Sequence, residues 1–165
     1  MSHTNHQPRL NFLERSPELV KKLQEFSMAI ADSGRIEQGL SNLVDIRASQ
    51  MNGCAFCLDM HVKEAKLHGE RELRLYHLST WRESPLFSPR ERAALALTEA
   101  LTRIAPDGVS DELYAELREQ FGEEELSTLA FRVVGINAWN RANVAFRTTP
   151  GVHDKMLGLD KAELD

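Results

Sequence analysis

A chain of 165 residues, 42% hydrophobic and 27% charged, has the composition of an ordinary globular domain and the length for one core. Its net charge of -5 is mild and comes with no basic patch, which argues against nucleic acid and anionic membranes as partners. No apolar run approaches the roughly 18 residues that a membrane helix needs.

The polar start, Met1 to Gln7, lacks the apolar core of a secretion signal, so the expected compartment is the cytoplasm. Ser16, Pro17 and Glu18 read as an N-cap, a first helical position and an early acid. Leu19, Leu23, Phe26 and Ile30 then recur at helical spacing until Gly34 supplies a stop. A second helix is expected from Glu37 to Gln50, ending at the turn-prone pair Asn52-Gly53. A third opens at Cys54 and closes at His68-Gly69, and a fourth covers Glu70 to Thr80. After a loop from Arg82 to Phe87, Ser88-Pro89-Arg90-Glu91 is a capping box with proline at the first helical position. That helix carries Ala94, Leu97, Leu101 and Ile104, and Pro106-Asp107-Gly108 ends it. Ser110 caps a short helix that stops at Gly122. A long helix follows to Phe146, with Leu126, Leu129, Ala130, Val133 and Val134 as its apolar stripe. The expectation is an all-α protein of one domain at 16–151, with an extension at 1–15 and a loosely held acidic tail at 152–165.

Both cysteines fall in one stretch, Cys54-Ala-Phe-Cys57, and in a reducing cytoplasm such a pair does not serve as a structural staple. On a helix, positions 54, 57 and 61 share an arc of about 60° and stack on successive turns. Cys54 and Cys57 are then spaced to close into a disulfide. His61, one turn beyond Cys57, is spaced to take the thiol proton directly or through a water. Cys54, just after Gly53 at the helix start, meets unpaired backbone N–H groups and the positive end of the dipole, which favour the thiolate. Such an arrangement suits peroxide reduction or dithiol–disulfide exchange. Zinc is the rival reading, with His68 as a fourth ligand. His61 and His68, however, are about 10 Å apart along a straight helix, too far to share a metal bonded at about 2 Å. No bound metal or cofactor is expected, and His68 reads as part of a solvated helix end.

The segment from Arg47 to His61 resembles the signature of the carboxymuconolactone decarboxylase and AhpD-like alkylhydroperoxidase superfamily. Trp81 to Pro85, Glu91 to Ala96, Thr98 to Thr102, Ile136 to Asn140 and Phe146 to Gly151 extend the likeness over most of the chain. The resemblance implies an all-helical fold assembled as a trimer or hexamer. It also implies that Cys57 attacks a hydroperoxide, that Cys54 resolves the sulfenic acid as a disulfide, that His61 is the base, and that an external dithiol donor reopens the bond. The decarboxylase branch lacks the cysteine pair.

Two positions depart from the pattern. Asn42 stands where the peroxidase relay has a glutamate, twelve residues before the first cysteine, and asparagine does not shuttle a proton at neutral pH. Phe56 stands where one branch has a histidine. Asp45, one turn from Asn42, and Glu99, from another element, are the candidate replacements for the missing acid. Trp139, Asn140 and Arg147 read as packing or subunit-contact residues. The expected function is a thiol peroxidase. A dithiol–disulfide oxidoreductase and a non-enzymatic redox-responsive protein are the alternatives.

Overall fold

The computed structural model describes residues 7–162. The absence of a secretion signal was read largely from residues 1–6, and these, with 163–165, lie outside the described residues. The regular elements described are all helices: α1 Phe12–Arg15, α2 Pro17–Asp32, α3 Gln38–Asn52, α4 Ala55–Leu67, α5 Glu72–His77, α6 Pro89–Thr102, α7 Asp111–Gln120, α8 Glu123–Phe146 and α9 Asp154–Leu157. Short 3₁₀ turns follow α5 at Leu78–Thr80 and α9 at Leu159–Lys161. No described helix is long and apolar enough to cross a membrane.

The caps follow local chemistry. Ser88 Oγ accepts from the Glu91 N–H at 3.3 Å while the Glu91 carboxylate accepts from the Ser88 N–H at 2.8 Å, the reciprocal box that starts α6. Ser110 caps α7 in the same sense, at 3.2 Å to Leu113 N. Ser16 occupies the N-cap of α2 without a side-chain bond, so Pro17 is the local signal for that start.

α3 is the hub. Leu40 and Val44 pack with Ala94, Leu97, Leu117, Leu129 and Val133, a core shared with α6, α7 and α8. Leu43 and Ile46, on its other side, pack with Ala65, Leu78, Trp81 and Leu95. A helix apolar on several faces has to be buried, and truncating one of these residues to alanine costs about 2–5 kcal/mol. α8 buries Leu126, Leu129, Val133, Ile136, Asn140 and Asn143 at three- and four-residue spacing. The stripe therefore turns away from Val134, which is exposed, and Ala130 is half-buried. Ile104 is also exposed, because α6 ends at Thr102. Leu19 shares the helical phase of its stripe but is exposed; the contacts of α2 with α8 are made further along, at Phe26, Ser27 and Ile30.

Buried amides fasten α8 to the end of α3. Asn52 Nδ2 donates to Asn137 Oδ1 at 3.0 Å and to Asn140 Oδ1 at 2.9 Å, and Asn140 Nδ2 donates to Ser49 Oγ at 3.1 Å. Polar groups buried this way are tolerated because each is satisfied, and the satisfied set holds one register of α8 on α3.

Packing continues past both expected domain boundaries. At the front, the Arg9 N–H donates to Phe146 O at 3.0 Å and Phe12 stacks on Phe146 with centroids 5.6 Å apart. At the back, the segment expected to be loosely held folds over α4: Lys63 Nζ lies 2.7 Å from Asp154 Oδ2, and Leu159 is buried. An apolar side chain and a salt partner for α4 hold it there.

Candidate active site

Gly53 sets up the site. It ends α3 with φ 64 and ψ 30, a left-handed conformation that residues with a Cβ adopt at a cost. The chain then reverses and Cys54 becomes the N-cap of α4, its Sγ accepting the Cys57 N–H at 3.3 Å. Cys54 and Cys57 are joined as a disulfide with Cα atoms 5.3 Å apart. Both are buried, at 2% and 1% exposure, in a small apolar cluster with Phe56 and Met60.

His61 follows one turn after Cys57 and is 7% exposed. Its Nδ1 lies 3.0 Å from Glu64 Oε2 and 3.7 Å from Asp45 Oδ2. Asp45, buried on α3, is gripped by Arg132 of α8: Nε donates to Oδ1 at 3.0 Å and Nη2 to Oδ2. Three helices thus bring an acid–imidazole–acid–guanidinium chain beside the cysteines. Burial pushes the Glu64 carboxyl upward, but the His61 hydrogen bond and the charges of His61, Arg132 and His68 outweigh it and hold the group below the usual carboxylate range. Burial works against the Arg132 charge, yet Asp45 and Glu64 keep the guanidinium above its ordinary value.

A cavity of about 760 Å³ opens onto this group. Cys57, His61, Glu64, Asp45 and Arg132 line it, and Phe12, Met28, Ile136, Trp139, Phe146 and Met156 supply much of its apolar wall. Cys57 is part of the lining and Cys54 is not.

The other expected residues lie elsewhere. Asn42 is fully buried; it accepts from Gln38 Nε2 at 2.9 Å, and its Nδ2 lies 3.1 Å from His68 Nδ1. It therefore serves His68 rather than His61, and His68, although exposed, is tied back to α3. Glu99 is removed from the site altogether. Its carboxylate accepts from Arg47 Nε and Trp81 Nε1, both at 2.8 Å, and from Arg82, and none of these residues lines the cysteine cavity. Burial raises that carboxyl, and the bonds from Trp81, Arg82 and Arg47 bring it below the usual range, so it is a structural anion. Trp139 donates to Ser27 Oγ at 3.0 Å and faces the cavity, Asn140 fastens α8 to α3, and Arg147 caps α8 with φ 56. Among the described residues, no three His, Cys, Asp or Glu side chains are placed to hold a metal ion.

Glu64 and Arg132 belong to the site but were not singled out in the sequence. Glu64 had a local signal, since i and i+3 share a helix face. Arg132 had a weaker one, a charge set within the apolar stripe of α8.

A helical domain in which a CxxC caps one helix, with a histidine one turn on, defines an AhpD-like thiol protein. The chain belongs to the carboxymuconolactone decarboxylase family, whose model matches residues 17–100. It is 42% identical over 137 residues to the uncharacterized protein YdfG of Bacillus subtilis (strain 168), covering 83% of this chain and 92% of that protein. It is similar, at 39% identity and a TM-score of 0.85, to the crystal structure of an Agrobacterium tumefaciens protein of unknown function, a candidate antioxidant defence protein AhpD. That match covers 88% of this chain and 99% of the other. An uncharacterized peroxidase-related protein with an AhpD core, from Ralstonia eutropha JMP134, shares the fold at 19% identity and a TM-score of 0.75, over 86% of this chain and 75% of that one.

Proposed function

We propose that the protein is a thiol-dependent peroxidase that reduces alkyl hydroperoxides or hydrogen peroxide in the cytoplasm, with no bound cofactor and an external dithiol as donor. The observation that carries this reading is that Cys57, and not Cys54, faces the cavity it shares with His61. The relatives' descriptions as antioxidant and peroxidase-related proteins support it.

The steps use this chain's own groups. His61 Nε2 takes the Cys57 proton, and the thiolate attacks the terminal peroxide oxygen. The O–O bond breaks, Cys57 becomes a sulfenic acid, and the departing alkoxide recovers the proton from His61. The Cys54 thiolate, favoured by the start of α4, then attacks the Cys57 sulfur and expels hydroxide, which leaves as water. The disulfide that results is the form described above, and two electrons and two protons from the donor reopen it. With both sulfurs buried, the disulfide form does not offer one to the attacking thiolate of a folded protein while residues 152–162 are packed on α4, which weighs against a general exchange enzyme. The chain works as a homo-oligomer, a trimer or hexamer, with exposed apolar residues of α2 and α8 at its contacts.

The test is chemical trapping. Cys54→Ser protein given one equivalent of cumene hydroperoxide carries a dimedone adduct on Cys57, because no resolving thiol remains. Cys57→Ser protein stays unlabelled. A dimedone adduct on Cys54 alone reverses the roles. Unreacted peroxide with wild-type protein and dithiothreitol removes the peroxidase reading.

A further inference from the structure

Residues 152–162 fold over α4 beside the cysteine pair, where His153 packs on Phe56 and Asp154 pairs with Lys63, and their hydrogen bonding lets them move as one piece. Their backbone hydrogen bonds are local: Val152 N to Thr149 O, Asp154 N to Gly151 O, Leu157 N to His153 O, Gly158 N to Lys155 O and Ala162 N to Leu159 O. Among the described residues no backbone bond of this segment crosses to the helical body, and only the bonds of Val152 N to Thr149 O and Asp154 N to Gly151 O, at the joint itself, need loosen when it lifts. Side chains alone hold it down. The His153 ring stands edge-on to Phe56 with centroids 5.7 Å apart, Leu159 is buried, and Asp154 accepts from Lys63 at 2.7 Å. Lys63 also donates to Asp59 at 2.7 Å, so it keeps a carboxylate when Asp154 departs. Gly151, with φ +77, supplies the joint in a backbone state that residues with a Cβ rarely adopt.

This segment matters for the second half of the cycle. A small peroxide reaches Cys57 through the cavity, but a folded dithiol protein has to meet a sulfur at the surface. Phe56, which His153 covers, sits between the two cysteines in sequence, and neither sulfur is presented while the segment is down.

We infer that residues 152–162 form a lid, latched by Lys63 and Asp154, that sets which dithiols reduce the Cys54–Cys57 disulfide. Small dithiols enter through the cavity, and folded dithiol proteins require the lid to lift. The inference rests on the thiol cycle proposed above. In that step a donor thiolate attacks Cys57 Sγ, the S–S bond breaks, and Cys54 leaves as a thiolate at the start of α4. The donor's second thiol then displaces Cys57, so the donor loses two electrons and two protons and both cysteines end as thiols.

The test compares oxidised wild-type, Asp154→Asn and Lys63→Met proteins, each reduced by dithiothreitol and by reduced thioredoxin as a folded dithiol probe. Both variants should be reduced by thioredoxin about threefold faster, the loss of one partly exposed ion pair, with the dithiothreitol rate unchanged. In wild type, amides 155–162 should exchange with deuterium together and well before those of α4. An unchanged ratio of the two reduction rates in folded variants overturns the lid. Exchange at 155–162 as slow as in α4 overturns it independently. If neither dithiol reduces the disulfide, the thiol cycle itself fails, and the exchange data still decide whether the segment is a lid.

Discussion

Nδ1 of His61 stands 3.0 Å from Oε2 of Glu64, on the next turn of the same helix, and in the proposed cycle this contact selects the nitrogen that works as a base. A carboxylate at that distance accepts the Nδ1 proton, so Nε2 keeps the lone pair.

His61→Ala should therefore slow the reaction of reduced Cys57 with cumene hydroperoxide by about 10²–10⁴-fold, the range of general acid–base catalysis. Glu64→Gln should cost less, since Asp45 Oδ2 remains 3.7 Å from Nδ1. Stopped-flow peroxide consumption checks both. A Glu64→Gln protein as slow as His61→Ala would mean that Glu64 does more than orient the ring.

The same carboxyl makes a pH prediction. Its pKa is held below the ordinary value in the folded protein, so its stabilisation is present above the unfolded pKa of about 4.3 and fades as pH falls through the folded value. The gap in melting temperature between wild type and Glu64→Gln should be widest near neutral pH and shrink below about pH 4.3. A gap that grows on acidification would contradict the assignment.

Arg132 and Asp45 form a buried pair whose halves do not tolerate separation. Arg132→Met alone strands a buried carboxylate and should cost about 3–5 kcal/mol in urea unfolding. Adding Asp45→Leu should restore most of that, because an apolar pair of similar bulk avoids the desolvation of both charges. Additive losses in the double mutant would show that the two residues stabilise the fold separately.

Asn42→Glu would restore an acid at the position where the peroxidase pattern has one. Asn42, however, is buried against Gln38 and His68, and Glu64 and Asp45 already flank His61. The substitution should lower the melting temperature and leave the peroxidase rate unchanged or reduced. A clear rise in rate would show that the present acids do not complete the relay.

Phe131 and Val134 lie on the outer side of α8, at 53% and 54% exposure. In the proposed assembly these two apolar groups of the 24-residue helix would be covered by a second copy. Light scattering should give a mass several times 18.7 kDa, and Phe131→Glu with Val134→Asp should reduce it. A stable wild-type monomer would remove the proposed assembly.

What could be read in the sequence was local. The spacing of Cys54, Cys57 and His61 follows from one helix, and the caps at Ser88 and Ser110 follow from a few adjacent residues. Partners brought together by the fold could not be read that way. Asp45, one turn from Asn42, and Glu99, on another element, were both candidates for the missing acid, and only packing sends one to His61 and the other to Arg47 and Trp81. The contacts of the chain's end were out of reach for a related reason. After the break at Pro150-Gly151 the acidic stretch reads as a tail, because Leu159 and Asp154 acquire meaning only opposite α4.

The capping role of Cys54 separates catalysis from folding. A helix whose first turn depended on the S–S bond would fray at each turnover, and the backbone would register the redox state. Here the Cys54 sulfur already accepts the Cys57 N–H while it is disulfide-bonded, and a thiolate is a stronger acceptor than a disulfide sulfur. Reduction should therefore leave the first turn of α4 in place, with the Cys57 amide exchanging with deuterium equally slowly in oxidised and reduced protein. Under the proposed cycle, no part of α4 would need to refold between one peroxide and the next.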